Sequence, residues 1–446
     1  MSAKKQPNII VLVSHDTGRH IGPYGITTVK NPNADRLAAE GFMFTSSFCT
    51  APGCCPSRAG LFSGRSPHAV GMLGQAGAWA GFRFSADATH AATHFKKLGY
   101  ETMLLGLAHE VAGAGCHESY FDGIGFDILR HDGGRLFAKD LRTKMPAILD
   151  ARKAPEKPFY LQIGTQETHT GYLRDGVTPF DELGVTIPDS PVLDKNGPGT
   201  RRQFAELQGA VNRLDEGLGH IIATLEQRGL AESTILVNTT DHGLPMPREK
   251  TTLYDRGIGV YLIMRYPGVF PAGQRSDHLI SNIDVLPTLI EAAGGTPPPE
   301  IEGRSLYPLL TGGNYRPREM LFAEKTYHTS YDPLRCVRTK KYKYIFNFES
   351  VTPENYCLDI FNKPVLLESL GKMPHGPNRF DELYDLEADP GEASNLAEKS
   401  EHQETRKRLA TELVKWMEQT GDPLLKGPVA SPRFYDKLNW LKQQKG

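Results

Sequence analysis

Residues 9–16 read Ile9-Ile10-Val11-Leu12-Val13-Ser14-His15-Asp16, an unbroken apolar run, mostly β-branched, that stops at a hydroxyl, an imidazole and a carboxylate. A strand apolar at consecutive positions has both faces covered, the condition of a central strand in a parallel sheet flanked by helices. Runs of the same character lie at residues 101–105, 159–163, 235–239 and 260–264. Helical patterns separate them. One covers residues 33–40 and closes at Gly41, a residue type favoured where helices stop. Another places Phe204, Leu207, Val211, Leu214, Leu218, Ile221, Ile222 and Leu225 at a spacing near 3.6 and closes at Gly229. Alternation of strand and helix predicts a doubly wound, mostly parallel α/β domain. After Leu309-Leu310-Thr311-Gly312-Gly313 the pattern changes to short aromatic and β-branched runs at residues 320–324, 334–338 and 342–348. A helix over about 402–419 follows, with Leu409, Leu413, Trp416 and Met417 on one face. The predicted organisation is a large α/β domain of residues 1–315 and a smaller C-terminal α+β domain, containing an antiparallel sheet, of residues 316–446.

The rest of the chain narrows the class. Its 446 residues carry 51 Lys and Arg against 52 Asp and Glu, are 39% hydrophobic, and include six Cys. This composition excludes disordered, collagenous and disulfide-stapled proteins. A formal net charge of -1 supplies no long-range field for nucleic acid or an anionic membrane, so any anion must be held by a local constellation. The first apolar run is shorter than the ~7–15 residues of a signal peptide core. No run approaches the ~18 apolar residues of a membrane span. The expectation is a cytoplasmic protein with reduced thiols. The 45 Gly and 32 Pro predict long irregular loops, where sites tend to lie.

Polar residues cluster just past the strands. Ser14-His15-Asp16 follows the first run, His109-Glu110 the run at 101–105, Glu167-Thr168-His169 the run at 159–163, and Asp241-His242 the run at 235–239. In an open α/β sheet the carboxyl ends of the strands face one crevice, so these groups converge. Buried acids and imidazoles need a cation or a partner there. A second signal is Cys54-Cys55-Pro56-Ser57-Arg58-Ala59-Gly60-Leu61-Phe62-Ser63-Gly64-Arg65. Pro56 suits a first helical turn, which puts Cys54 at or just before a helix N-terminus, where free N–H groups favour an anion. Arg58 lies one turn on. The plainer alternatives are a short capped helix with two buried thiols, or a strained vicinal disulfide between Cys54 and Cys55. Elsewhere, Asp215 reads as a local cap or pair and Asp284 as helix-start chemistry. The basic run at 338–343 reads as a solvated hairpin.

Cys54-x-Pro56-Ser57-Arg58, followed by Leu61 and Gly64-Arg65, resembles the signature of type I sulfatases, members of the alkaline phosphatase superfamily. Four further segments agree in order: Pro7-Asn8-Ile9; Asn31-Pro32-Asn33-Ala34-Asp35-Arg36-Leu37-Ala38-Ala39-Glu40-Gly41; Thr240-Asp241-His242-Gly243; and Glu382-Leu383-Tyr384-Asp385-Leu386-Glu387-Ala388-Asp389-Pro390. Leu244-Pro245 and the segment from Trp416 to Asp422-Pro423 are most similar to the sulfamidase (N-sulfoglucosamine sulfohydrolase) branch.

The resemblance implies that Cys54 is oxidised to formylglycine by a formylglycine-generating enzyme and hydrated to a geminal diol. It implies one divalent metal held by His15, Asp16, Cys54, Asp241 and His242. Arg58 would hold the diol and the helix start. His109 would take the proton as the covalent intermediate breaks down, and His169 and Lys250 would face the sulfate and leaving group. His328 would reach the substrate from the small domain, and Glu110 would orient His109 or bind an amine or hydroxyl, with a simple surface carboxylate as the alternative.

Two departures from the family stand out. His15 occupies a position where the family usually has Asp, which favours Mn or Zn over Ca. Leu107 replaces the Lys of the family's Lys-x-His motif. The implied function is hydrolysis of a sulfate ester or sulfamate of a sugar or small organic molecule. The alternatives are a phosphonate monoester or phosphodiester hydrolase of the same superfamily, and a non-catalytic homologue that binds an anion or metal. Loops at about 112–132 and 177–200 and the small domain would set specificity. Neither nucleic acid nor membrane is expected as a partner; a homo-oligomer is left open.

Overall fold

A computed structural model describes residues 6–77, 80–111, 121–349, 357–373 and 379–444. The 112–120 part of the expected specificity loop lies outside them. Among the described residues the first sheet has eight strands: β1 (Asn8–Ser14), β2 (Phe42–Phe44), β4 (Glu101–Gly106), β5 (Ile128–Arg130), β6 (Phe159–Gly164), β7 (Thr234–Thr240), β8 (Leu262–Arg265) and β9 (Gln274–Ser276). Their order is β5-β4-β6-β1-β7-β8-β2-β9. The short β3 (Ser47–Phe48) pairs with β10 (Ile280–Ser281). Strands β4, β6, β1 and β7 are mutually parallel, and β8 runs antiparallel to both β7 and β2. This is the expected α/β sheet, with one strand reversed.

Alternate residues of the central strands face opposite helical layers. Ile10 and Leu12 join one core cluster, with Phe204, Leu207, Val211, Leu218 and Ile221 of the long helix Pro198–Gln227. Ile9, Val11 and Val13 join the other. Every residue of β1 is buried. The long helix starts before the expected stripe because it is capped from afar: the Glu368 carboxylate accepts from the backbone N–H of Gly199 at 2.6 Å and Thr200 at 2.8 Å. Asp215 is likewise a distant cap rather than a local one. Its oxygens accept from the N–H groups of Asn33 at 3.1 Å and Ala34 at 2.8 Å, at the start of the helix Pro32–Glu40.

Residues 311–319 carry the chain to a four-stranded antiparallel sheet: β11 (Met320–Tyr327), β12 (Tyr331–Thr339), β13 (Tyr342–Asn347) and β14 (Asp381–Asp385). The helix Gln403–Thr420 packs on it through Leu409, Leu413, Trp416 and Met417. A further helix, Pro432–Gln443, was not anticipated. The run at 338–343 is only partly solvated. Lys340 and Lys341 are exposed, but Lys343 is fully buried, 2.6 Å from Asp255 and 2.8 Å from Glu392, and Arg338 also grips Asp255 at 2.8 Å. Asp284 accepts from the Ser281 N–H as expected, and also from Arg304 N–H.

Between β13 and β14 the chain returns to the first sheet. Cys357, Ile360, Val365, Leu366 and Met373 are buried in the same core cluster as Ile10 and Leu12. The second sheet therefore lends a segment to the first layer's interior.

Candidate active site

Parallel register brings the expected strand ends to one edge. Val13 lies beside Gly164, Gly164 beside Gly106, and Ser14 beside Thr240. At that edge a Cβ on Gly164 would come within 2.0 Å of the Leu107 carbonyl oxygen, so the two chains leave their strands in a contact that only glycine permits. His15, Asp16, His169, Asp241 and His242 emerge around this crossing.

Cys54 is the first residue of the buried helix Cys54–Ser63 and presents its Sγ to these groups. His242 Nε2 stands 3.4 Å from the sulfur and 3.1 Å from Asp16 Oδ1. His242 Nδ1–H donates to the Gly243 carbonyl at 2.9 Å, which leaves Nε2 with a lone pair turned toward a carboxylate oxygen. A cation or proton must reconcile that pair. His15 Nε2 lies 3.5 Å from Asp241 Oδ2 and 3.7 Å from Asp16 Oδ1, yet neither ring nitrogen of His15 has a hydrogen-bond partner. One donor atom from each of His15, Asp16, Cys54 and Asp241 falls within 4.8 Å of the others. Two carboxylates, two imidazoles and one residue 54 atom thus suit a divalent cation in both charge and donor type.

The cationic side is equally built. Arg58 is fully buried; its Nε donates to Asp241 Oδ2 at 3.1 Å and its Nη2 to the Ser14 carbonyl at 3.0 Å, while Nη1 has no partner. Lys250 Nζ bridges Asp16 at 2.6 Å and Asp359 at 2.8 Å. Burial opposes the Lys250 charge, but Asp16 and Asp359 outweigh it and hold the ammonium well above its ordinary pKa. His169 stacks on His15 with ring centroids 4.6 Å apart and puts Nε2 3.3 Å from Asp359 Oδ1. A nitrogen of His109 lies within 4.8 Å of the Cys54 sulfur and of His15. Burial, aided by Arg58, pushes the His109 imidazole down to about 3, so it sits neutral at ordinary pH. Burial also drives the Cys54 thiol well above its usual value, the nearby Asp16 and Asp241 carboxylates adding to it against Lys250. An unmodified Cys54 would therefore be a poor nucleophile.

His328 lines an adjoining cavity with Pro52, Gly53, Pro56, Thr251 and Tyr327, beside the start of the Cys54–Ser63 helix. Burial and Lys250 hold its pKa well down. Glu110 is placed differently. It is fully buried, accepts from Gln162 Nε2 at 2.5 Å and lies 3.4 Å from His90 Nε2. That excludes the surface alternative, and among the described residues its carboxylate makes no hydrogen bond or ion pair with the His109 ring or with Cys54. Leu107 is buried too. Cys54 and Cys55 are free thiols, the Cys55 sulfur lying 2.9 Å from Gln75 Oε1, so the vicinal disulfide is absent. Asp359 was missed: it lies between β13 and β14, far in sequence from every motif.

A family model described as Sulfatase matches residues 7–295, and one described as N-sulphoglucosamine sulphohydrolase, C-terminal, matches residues 242–376. The chain belongs to the sulfatase family. This sulfatase is 29% identical over 444 residues to an ulvan-active sulfatase of Formosa agariphila, covering 98% of this chain and 84% of that protein. It is 25% identical to human N-sulphoglucosamine sulphohydrolase, covering 94% and 92%. Among solved structures, an enzyme in complex with its substrate D-glucosamine-2-N,6-O-disulfate shares the fold with a TM-score of 0.71 at 19% identity, covering 95% of this chain and 99% of that one. The phosphonate monoester hydrolase of Agrobacterium radiobacter does so with a TM-score of 0.71 at 18% identity, covering 93% and 96%. The sulfatase is a hydrolase of the alkaline phosphatase-like fold. No helix among the described residues is long and apolar enough to cross a membrane.

Proposed function

We propose that this sulfatase hydrolyses a sulfate ester or sulfamate carried by a sugar or a small organic molecule, using a formylglycine made from Cys54 and one divalent cation. The observation that carries the reading is the convergence of Asp16, Asp241, His15 and His242 on Cys54 at a buried helix start, beside an idle Arg58 Nη1. The relatives named for ulvan and N-sulphoglucosamine support a saccharide as carrier.

His15, Asp16, Asp241, His242 and residue 54 would hold the cation, with Mn or Zn favoured over Ca by the two imidazoles; when bound, it would supply Lewis acidity and charge neutralisation. Formylglycine, once formed, would supply a hydrated aldehyde whose oxygens serve as nucleophile and as the route of release. The chain's own residues do the rest. Arg58, locked by Asp241 and Ser14, keeps Nη1 unpartnered and would offer it to the residue 54 oxygen. Lys250, buried between Asp16 and Asp359, and the partly exposed His169 would serve as donors for sulfate oxygens and for the leaving group. His109, neutral and near residue 54, accepts a proton there. His328 borders the path of the carrier molecule. Glu110 would act through the buried network under this floor rather than on substrate.

The test joins peptide mass spectrometry and an aldehyde-reactive probe at residue 54 with assays of aryl sulfate, sulfamate and aryl phosphonate. The modified protein should turn over a sulfur ester or sulfamate, and Cys54→Ala should stay folded without turnover. Full activity in protein that carries only cysteine at 54 would sink the proposal. A strong kcat/KM preference for the phosphonate would favour the phosphonate or phosphodiester alternative, toward which His15 and Leu107 lean. Metal binding without any turnover would favour the non-catalytic one.

A further inference from the structure

Asp359 comes to the cleft on a segment the second sheet lends to the first. Residue 357 and residues 360, 365 and 366 of that segment are buried in the large core, and Glu368 is fixed to the long helix by two backbone N–H groups. The carboxylate is thereby held in place: Oδ2 is 2.8 Å from Lys250 Nζ, Oδ1 is 3.3 Å from His169 Nε2, and Oδ1 accepts from Thr170 Oγ1 at 3.0 Å. Lys250 and His169 are the two groups expected to meet the anion. Among the described residues the charged side chains joined in this web are Arg58, Lys250, Asp16, Asp241 and Asp359. Leu107 adds no charge. Asp359 touches Lys250 and His169, and one of its oxygens falls within 4.8 Å of donor atoms of Asp16 and His169, while the groups that include Cys54 form without it.

Resting on the reading of this pocket as a sulfate-ester site, we infer that Asp359 is a specificity-determining residue that trims the pocket's positive potential so that a monoanionic group is preferred to a dianionic one. A sulfate monoester and a phosphate monoester have nearly the same shape, so size cannot separate them. Near pH 8 they differ by one charge, and a fixed carboxylate beside the binding cations penalises each unit of ligand charge. A residue that merely positioned Lys250 would affect both ligands alike.

Binding of phenyl sulfate and phenyl phosphate at pH 8 is measured by calorimetry on metal-loaded protein carrying Cys54→Ser, with and without Asp359→Asn. The ratio of the two Kd values should move toward phosphate by about tenfold, and Asp359→Glu should restore the original ratio. Asp359→Ser provides the same readout should the amide variant fold poorly. A ratio that stays within twofold, or moves toward sulfate, overturns the inference, as does parallel weakening of both ligands. Because binding is read without turnover, failure of the modified wild-type enzyme to hydrolyse any sulfur compound would count against the proposed function alone.

Discussion

Asp16 sits with φ of 58°, in the left-handed region that costs a non-glycine residue conformational energy. The cost is met by its surroundings: its N–H donates to Asp241 Oδ1 at 2.8 Å and its carboxylate grips Lys250. Residues in this web are legible from sequence when they follow a strand or belong to a contiguous motif, as do Asp16, Cys54, Arg58 and Asp241. Asp359 has no such address, because its partners, Lys250 and His169, lie 109 and 190 positions away. At this scale His109→Asn should lower kcat by about 10²–10⁴-fold, as expected for loss of a general acid–base, with a thermal midpoint close to wild type. Steady-state kinetics and calorimetry check this together. His20, outside the cleft, reports on acid stability. Burial pulls its pKa down to about 3, with Arg256 adding to the shift. The unfolded chain, with a histidine pKa near 6.5, binds a proton that the folded chain refuses, so stability falls as pH drops from about 6.5 toward 3. Between pH 6.5 and 5 this one group should remove about 2 kcal/mol. His20→Gln should flatten denaturant-derived stability against pH by that amount; an unchanged slope would contradict it.

The elements show what periodicity conveys and what it omits. The apolar run at 9–13 and the stripe from Phe204 to Leu225 gave the central strand and the long helix, because burial on known faces writes itself into local spacing. The first turn of that helix was invisible, because Glu368 caps it across the fold; the helix Pro32–Glu40 begins within one residue of its expected start, and only its distant cap, Asp215, left no local trace. Glu368→Ala should cost about 1–2 kcal/mol, the size of a lost N-cap with its dipole interaction, read from urea midpoints. The 338–343 turn misled because alternate residues face opposite ways: Lys341 meets water and Lys343 a buried pair of acids. Lys343→Met leaves the buried Glu392 without its cation and Asp255 with Arg338 alone, and should destabilise by about 3–5 kcal/mol. A loss below about 1 kcal/mol would show that the acids find protons or water instead.

At the scale of the whole molecule, the predicted α/β sheet and the antiparallel second sheet are both present, and the sulfatase resemblance drawn from five ordered motifs agrees with the family match across residues 7–295. The extra helix Pro432–Gln443 escaped prediction because it buries no residue, so no stripe had to be strongly patterned. A bound cation would tie β1, β7 and the Cys54–Ser63 helix together. Chelation of the purified protein should therefore lower its thermal midpoint, and Mn or Zn should restore it further than Ca at equal concentration. Asp241→Asn should abolish that response. An indifferent midpoint would argue that Lys250 and Arg58 already neutralise the acids.

The segment from Cys357 to Met373 has a practical corollary for anyone dividing this chain. A gene cut at codon 315 yields a first half whose interior lacks Ile360, Val365 and Leu366, and a second half that displays them to solvent. Each product inherits a complementary sticky surface, so the two lobes are better treated as an inseparable expression unit than as exchangeable modules.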